Sequence, residues 1–377
     1  MSHDTGSLRV SDFDYQLPRE LIAQEPAPRR DASRLMTLDR ALGAPGGLRH
    51  RHFTDLLSLL RPADLLVVND TRVIPARLLG KRIAPGTGGK VEALLVRRTQ
   101  VAGDASPGQA APSQIWRALL KGACRQGEPI DFGCGLLGRL LSRDADGATL
   151  ELSAQPGAGA LEQVLMLAGR MPTPPYIRRG EDEGEGEADT RQALDRERYQ
   201  TVYSHEAGAL AAPTAGLHFT EELLAAIRAR GVEIRALTLH VGLGTFQPVR
   251  VEFVQDHRMH PESFEISDRL STAVARTRKH GGRVVAVGTT TARALEWRAA
   301  ALEGHVDPGG GECDSFIIPG HRFRVVDALV TNFHLPRSTL LMLVSAFAGR
   351  ETMLAAYASA IQQRYRFYSY GDAMFIH

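Results

Sequence analysis

In the second half of the chain, apolar residues recur at helical spacing and in short continuous runs, by turns. Thr220 opens an amphipathic helix, TEELLAAIRARG, which Gly231 closes. EIRALTLHV then reads as a strand, ISDRLSTAVARTRKHGG as a helix, RVVAVG as a strand and TTTARALEWRAAAL as a helix. Such alternation builds an α/β layer whose strands are at least partly parallel. Residues 8–72 add a short helix at PRELIAQ, with Pro18 suited to its first turn, and end in the buried strand DLLVVND. Between about residues 73 and 152 the pattern changes. The β-prone runs VEALLVRRT, QIWRALLKG and ATLELSA are set apart by Gly and Pro, and helical spacing is weak. The expectation is an α/β large domain with a mixed, partly parallel sheet (residues 1–72 and 153–377) and an inserted small antiparallel β-barrel domain (residues 73–152).

Length agrees, since 377 residues exceed what one core usually organises. A net charge of +2 is too small to predict nucleic-acid binding, so any basic footprint must be local. Cys124, Cys134 and Cys313 are widely spaced without a C-x-x-C pair, which argues against structural zinc, an iron–sulfur cluster or a disulfide scaffold and suits a reducing cytoplasm. The N-terminal stretch lacks a signal-type apolar region, and no run reaches the roughly 18 apolar residues of a membrane span. Two segments, 101–114 and 180–192, read as surface loops. The second holds six acids between Glu181 and Asp189 and no base, the mark of a solvated run.

The chemistry gathers where strands end. In open α/β sheets ligands bind beyond the carboxyl ends of strands, where helix N-termini offer unpaired N–H groups. Four such exits are polar: LLVVNDTR delivers Asn69, Asp70 and Arg72; TLHVGLGTF delivers His240, Gly242, Gly244 and Thr245; VVAVGTTTAR delivers Gly288, Thr289, Thr290 and Arg293; ALVTNFHLPRST delivers Asn332 and His334. AAPTAGLHFT adds His218, just before a helix cap. Taken singly each has a bland reading. Gly288 with its threonines is an ordinary capped turn, His334 a histidine bonded to a loop carbonyl, and Tyr370 and Asp372 part of a structural turn. GLGTF is not a dinucleotide fingerprint, because Gln247 and Pro248 follow it. His257 and His260 lack a clear third ligand, so a metal is disfavoured. Together, uncharged donors, histidines and close-approach glycines at several exits suit a ligand with many hydroxyls and ring nitrogens, such as a nucleoside.

Seven motifs, NDTRVIPARLLG, AAPTAGLHFT, LHVGLGTFQPV, MHPESFEI, VGTTTARALE, TNFHLPRSTLLMLVSAFAG and YRFYSYGDAMFI, resemble the S-adenosylmethionine:tRNA ribosyltransferase-isomerases of queuosine biosynthesis, nearly end to end. The resemblance implies transfer of the ribosyl group of S-adenosylmethionine onto a 7-aminomethyl-7-deazaguanine base in the tRNA anticodon. Adenine and methionine leave, and epoxyqueuosine forms. It implies no metal or redox cofactor and a large α/β domain with a smaller barrel insert. A cytoplasmic monomer without a membrane partner is expected.

That chemistry needs a base near the acidified C5′ hydrogens, a donor for departing adenine and an acceptor for the aminomethyl proton. Asp70, His218, His240, His334 and Asp372 are the candidates, with their individual roles open. Thr289, Thr290 and Asn332 read as donors to ribose or adenine, with Arg72, Gly242, Gly244, Thr245 and Arg293 beside them. Phe219, Phe246, Phe333, Tyr368 and Tyr370 are candidates to stack on a base or face the sulfonium, core packing being the bland reading for at least half. Arg72, Arg77, Lys81 and Arg82 lie in RVIPARLLGKR, a run without an acid, and suit the tRNA backbone; a solvated basic edge is the alternative. Two other classes remain open on the residues alone: a metal-dependent nucleoside hydrolase and a noncatalytic RNA-binding module.

Overall fold

The computed structural model describes residues 8–83, 88–102, 113–179, 185–242 and 249–377. The chain divides into two compact units: residues 1–72, 174–183 and 198–377, and residues 73–173 and 184–197.

The larger unit is built on a nine-stranded sheet in the order Gly309–Cys313, Glu262–Ile266, Glu233–Leu239, Leu65–Asn69, Val284–Val287, Ala328–Asn332, Ala373–Ile376, Arg34–Leu38 and Leu48–His52. The central four, from Glu233–Leu239 to Ala328–Asn332, are mutually parallel. The continuous apolar runs of these strands reflect burial on both faces. Alternation sends Leu65, Val67, Val284 and Ala286 into one core cluster and Leu66, Val68, Val285 and Val287 into the other. Helices Asp268–Lys279 and Thr289–Ala301 cover the first face through Leu270, Val274, Ala292 and Leu295. Helix Glu221–Ala229 covers the second through Leu223, Leu224 and Ile227. The predicted Thr220 cap is present, accepting from the Leu223 amide, and Ser338 accepts in the same way from the Leu341 amide.

The strand Ala373–Ile376 runs antiparallel to Ala328–Asn332 and parallel to Arg34–Leu38, with Ala373 opposite both Asn332 and Leu35. One edge of the sheet therefore collects the carboxyl ends of the four central strands and the amino ends of two more. That brings residues 33–34 and 372 beside the predicted exits.

PRELIAQ forms only a three-residue 3-10 turn, Arg19–Leu21. The amide of Ala23 and the carbonyl of Leu21 bond instead to the backbone of Phe367, and this pairing takes the groups a helix would use.

The second unit contains a closed six-stranded antiparallel barrel in the order Gly147–Ala154, Ser113–Lys121, Lys90–Ala102, Arg77–Arg82, Pro129–Asp131 and Leu136–Asp144. Leu78, Ala93, Leu95, Trp116, Ala118, Ile130, Leu140 and Leu150 fill it from alternate positions. The unit also takes in residues that composition alone places in the large domain. Helix Leu161–Ala168 buries Leu161 and Val164, and Arg170 exchanges two backbone hydrogen bonds with Arg77. The acidic stretch differs from the expected loop from Glu185 on, where helix Glu185–Arg198 begins. Residues 103–112 and 180–184 of the two expected loops lie outside the described residues.

Candidate active site

A cavity with about 650 Å³ of empty space, its mouth included, opens at the collecting edge of the larger unit's sheet. Its wall comes from segments far apart in sequence: Tyr176, Pro213–Ala215, Gly288–Thr290, Thr331–Leu335, Ser338 and Tyr368–Ser369. Gly288 has φ +92°, a left-handed conformation that turns the chain from the strand Val284–Val287 directly into the helix Thr289–Ala301. Thr289 and Thr290 are thus at a helix N-terminus on the cavity wall, and Ser338 caps a second such helix, Thr339–Ala348. Both present the dipole's positive end to whatever the cavity holds.

Asn332, the last residue of its strand, is 2% exposed and has its donors committed. Nδ2 donates to the Tyr368 carbonyl (3.1 Å), to His218 Nε2 (3.1 Å) and, more weakly, to the Asp372 carbonyl (3.5 Å). Two carbonyl acceptors fix which end of the amide is nitrogen. His218 Nε2 must then accept, so its proton is on Nδ1, which donates to Ser33 Oγ at 2.8 Å. Burial, helped by the Arg366 and Arg30 guanidinium charges, pushes the His218 imidazole down to a pKa of about 3, so the ring is neutral. Asn332 Oδ1 is buried without a hydrogen-bond partner. The expected donor toward a ligand is therefore reversed, because Asn332 has only an acceptor to offer.

His334 is held from three sides. Its amide donates to the Tyr357 hydroxyl (2.9 Å), its carbonyl accepts from the Tyr15 hydroxyl, and Nε2 shares a proton with Thr331 Oγ1 (2.7 Å). Nδ1 has no protein partner among the described residues. Burial alone lowers the His334 pKa to about 3, which leaves a neutral ring with an uncommitted nitrogen in the cavity wall. Arg337 adopts φ +57° in the same joint, where its guanidinium pairs with Asp14 and its amide bonds to the Phe13 carbonyl. Tyr176 bonds to Ser369 Oγ (2.6 Å) and lies 4.7 Å, centre to centre, from the Tyr368 ring, and both tyrosines line the cavity.

A second polar group occupies the adjoining exits. The half-buried Asp70 accepts from Thr238 Oγ1 (2.7 Å), and burial raises its pKa. His240 bonds through Nδ1 to Thr71 Oγ1 (2.8 Å), and burial lowers its pKa against the opposing charges of Glu206 and Asp70.

Other predicted residues are employed elsewhere. The Asp372 carboxylate accepts from the amides of Arg34 and Arg366 (2.8 Å each) and pairs with the Arg34 guanidinium (3.1 Å), so it anchors the turn before the last strand. Arg293 is buried and pairs with buried Glu262 (2.7 Å), while Nε bonds to the Ser315 carbonyl (3.0 Å). Glu262 in turn holds the Gly242 amide (2.9 Å). Phe333 is fully buried among Tyr357, Tyr365 and Phe367, Phe219 packs edge-on against Phe53, and Tyr370 edge-on against Tyr199. Arg72 is exposed. Gly244, Thr245 and Phe246 lie outside the described residues. In the barrel, Arg77 pairs with Glu92 (2.9 Å) and Arg82 with Glu128 (3.5 Å), so strand pairing supplies the acids that the linear run lacks; Lys81 is exposed.

Sequence reasoning missed Ser33, Tyr15 and Tyr176. The first two come from segments without periodicity, and only the long-range pairing brings them to the edge.

The model of a family described as queuosine biosynthesis protein matches residues 10–376. A protein of Geotalea uraniireducens named S-adenosylmethionine:tRNA ribosyltransferase-isomerase is 52% identical over 374 residues, covering 98% of this chain and 100% of its own. One of the same name from Geobacter metallireducens is 52% identical over 372 residues, with the same coverage. The crystal structure of S-adenosylmethionine tRNA ribosyltransferase from Thermotoga maritima is similar with a TM-score of 0.52 and 35% identity, covering 97% of this chain and 100% of that one. Among the described residues no single helix is long and apolar enough to cross a membrane.

Proposed function

Because the chain belongs to the queuosine biosynthesis protein family, we propose that it transfers and isomerises the ribosyl group of S-adenosylmethionine onto 7-aminomethyl-7-deazaguanine in the tRNA anticodon. Adenine and methionine are released and epoxyqueuosine remains in the tRNA. The observation that carries this reading onto the molecule is the cavity in which Thr289, Thr290, Asn332 and His334 meet.

The positive sulfonium acidifies the neighbouring C5′ hydrogens. A neutral imidazole with a free nitrogen, as at His334, accepts that proton in a water-poor wall. The helix N-terminus at Thr289 and Thr290 faces hydroxyls or developing negative charge on the departing base. Tyr176 and Tyr368 offer ring faces to the sulfonium. The aminomethyl group is an ammonium in water and must lose a proton before it attacks. The Asp70 and His240 pair, one strand exit away, holds acceptors for it. Lys81 and Arg72 are the exposed cations of the basic run left for tRNA phosphates. An anticodon base is unpaired already, which lowers the cost of bringing it into a pocket. No metal or redox cofactor enters this scheme, and a cytoplasmic monomer suits it.

Incubation with S-adenosylmethionine and tRNA carrying the aminomethyl base should release adenine in step with tRNA ribosylation. No adenine from the complete mixture, or adenine release unaffected by the tRNA, would refute the proposal.

A further inference from the structure

The Asn332 amide is fixed in one orientation by its neighbours. The carbonyls of Tyr368 and Asp372 demand N–H from it, which leaves Nε2 of His218 to accept and puts that ring's proton on Nδ1, toward Ser33. Turning the amide over would set its oxygen against two carbonyls. The result is a buried carbonyl oxygen, Oδ1, with no protein donor, on a residue that lines the cavity. Buried acceptors are normally satisfied, and one left open in a ligand cavity points to a donor that the ligand brings.

The surroundings restrict that donor. His218, in direct contact with the amide, stays neutral because its site is dry and the Arg366 and Arg30 charges act on it. A place that resists a proton on imidazole resists an ammonium as well, so a neutral donor fits and the charged α-ammonium does not. The neutral donors of S-adenosylmethionine are the exocyclic amine of adenine and the two ribose hydroxyls, and a 6-oxo analogue, which keeps both hydroxyls, separates them.

We propose that Asn332 Oδ1 accepts a hydrogen bond from the exocyclic amine of the adenine ring, the carbonyls of Tyr368 and Asp372 holding the amide in its accepting orientation. This deepens the functional reading above and rests on it.

The test compares binding, by calorimetry, of S-adenosylmethionine and of its 6-oxo (inosyl) analogue, in which a carbonyl replaces the amine. Two facing acceptors leave both unsatisfied, so the wild type should bind the analogue at least about tenfold more weakly. Asn332→Leu should bring the two affinities within about threefold. Equal binding by the wild type overturns the proposal, as does undiminished discrimination in Asn332→Leu. Should the leucine variant fail to fold, the comparison of the two ligands on the wild type still decides. Failure here with adenine still released from S-adenosylmethionine refutes only the role of Asn332. Absence of S-adenosylmethionine binding altogether refutes the functional reading.

Discussion

Arg293 sits at a predicted ligand-facing exit, yet its guanidinium is spent on Glu262, and replacing it tests that assignment. Both side chains are almost fully buried, at 3% and 4% exposure, and their ion pair spans 2.7 Å. Arg293→Met keeps the volume and takes the guanidinium away from the Glu262 carboxylate. Removing one partner of a buried pair costs about 3–5 kcal/mol, so a loss of that size is expected, and Glu262→Gln in the same chain should recover about half of it. Urea unfolding measures this through Trp297, one turn along the same helix, in a background where Trp116, the second of the two tryptophans, is Phe. A loss under about 1 kcal/mol refutes a buried-pair role. The double variant should bind S-adenosylmethionine with near-wild-type affinity; a drop exceeding about tenfold, roughly 1.4 kcal/mol, would return Arg293 to the ligand.

Three further outcomes follow from the geometry. His218 and His334 have folded pKa values near 3, below the ordinary 6.5, so the unfolded chain binds the extra protons. Their contribution to stability is intact above pH 6.5 and is lost as pH falls toward 3, at up to about 1.4 kcal/mol per pH unit for each ring; His218→Gln should remove close to one proton from the slope measured between pH 5 and 6, and an unchanged slope contradicts a neutral buried ring. Alanine at His334 or asparagine at Asp70 should lower turnover by about 10²–10⁴-fold with the circular dichroism spectrum intact; near-normal rates from both variants would take them out of the mechanism. Lys81→Glu should weaken tRNA binding and reduce the salt slope by about one, with S-adenosylmethionine affinity unaffected; an unchanged slope would remove Lys81 from the tRNA surface.

The parts of the fold that depend on local spacing are legible in the sequence. Apolar runs ending in NDTR, GTTTAR and TNFH mark strands that stop at a polar edge, and Thr220 caps the helix it precedes. What each polar group does at that edge is not legible, because its partners are remote. Ser33 reaches His218 across 185 positions, and Asn332 reaches His218 across 114. The direction of the Asn332 amide depends on the carbonyls of Tyr368 and Asp372, 36 and 40 positions away, so a donor and an acceptor look alike in the chain. The basic run misleads for the same reason on a shorter scale. Glu92 is 15 residues from Arg77 yet faces it from the next strand of the barrel. Asp372 looks ionisable and catalytic in sequence, but the two amides and the arginine that hold it appear only once Arg34–Leu38 and Ala373–Ile376 pair.

The most direct measurement is a crystal structure with S-adenosylmethionine bound. The nucleoside should sit among Thr289, Thr290, Asn332 and His334, with the sulfonium between the two cavity tyrosines and the imidazole of His334. A ligand seated on any other surface, with this cavity unchanged, would contradict the account.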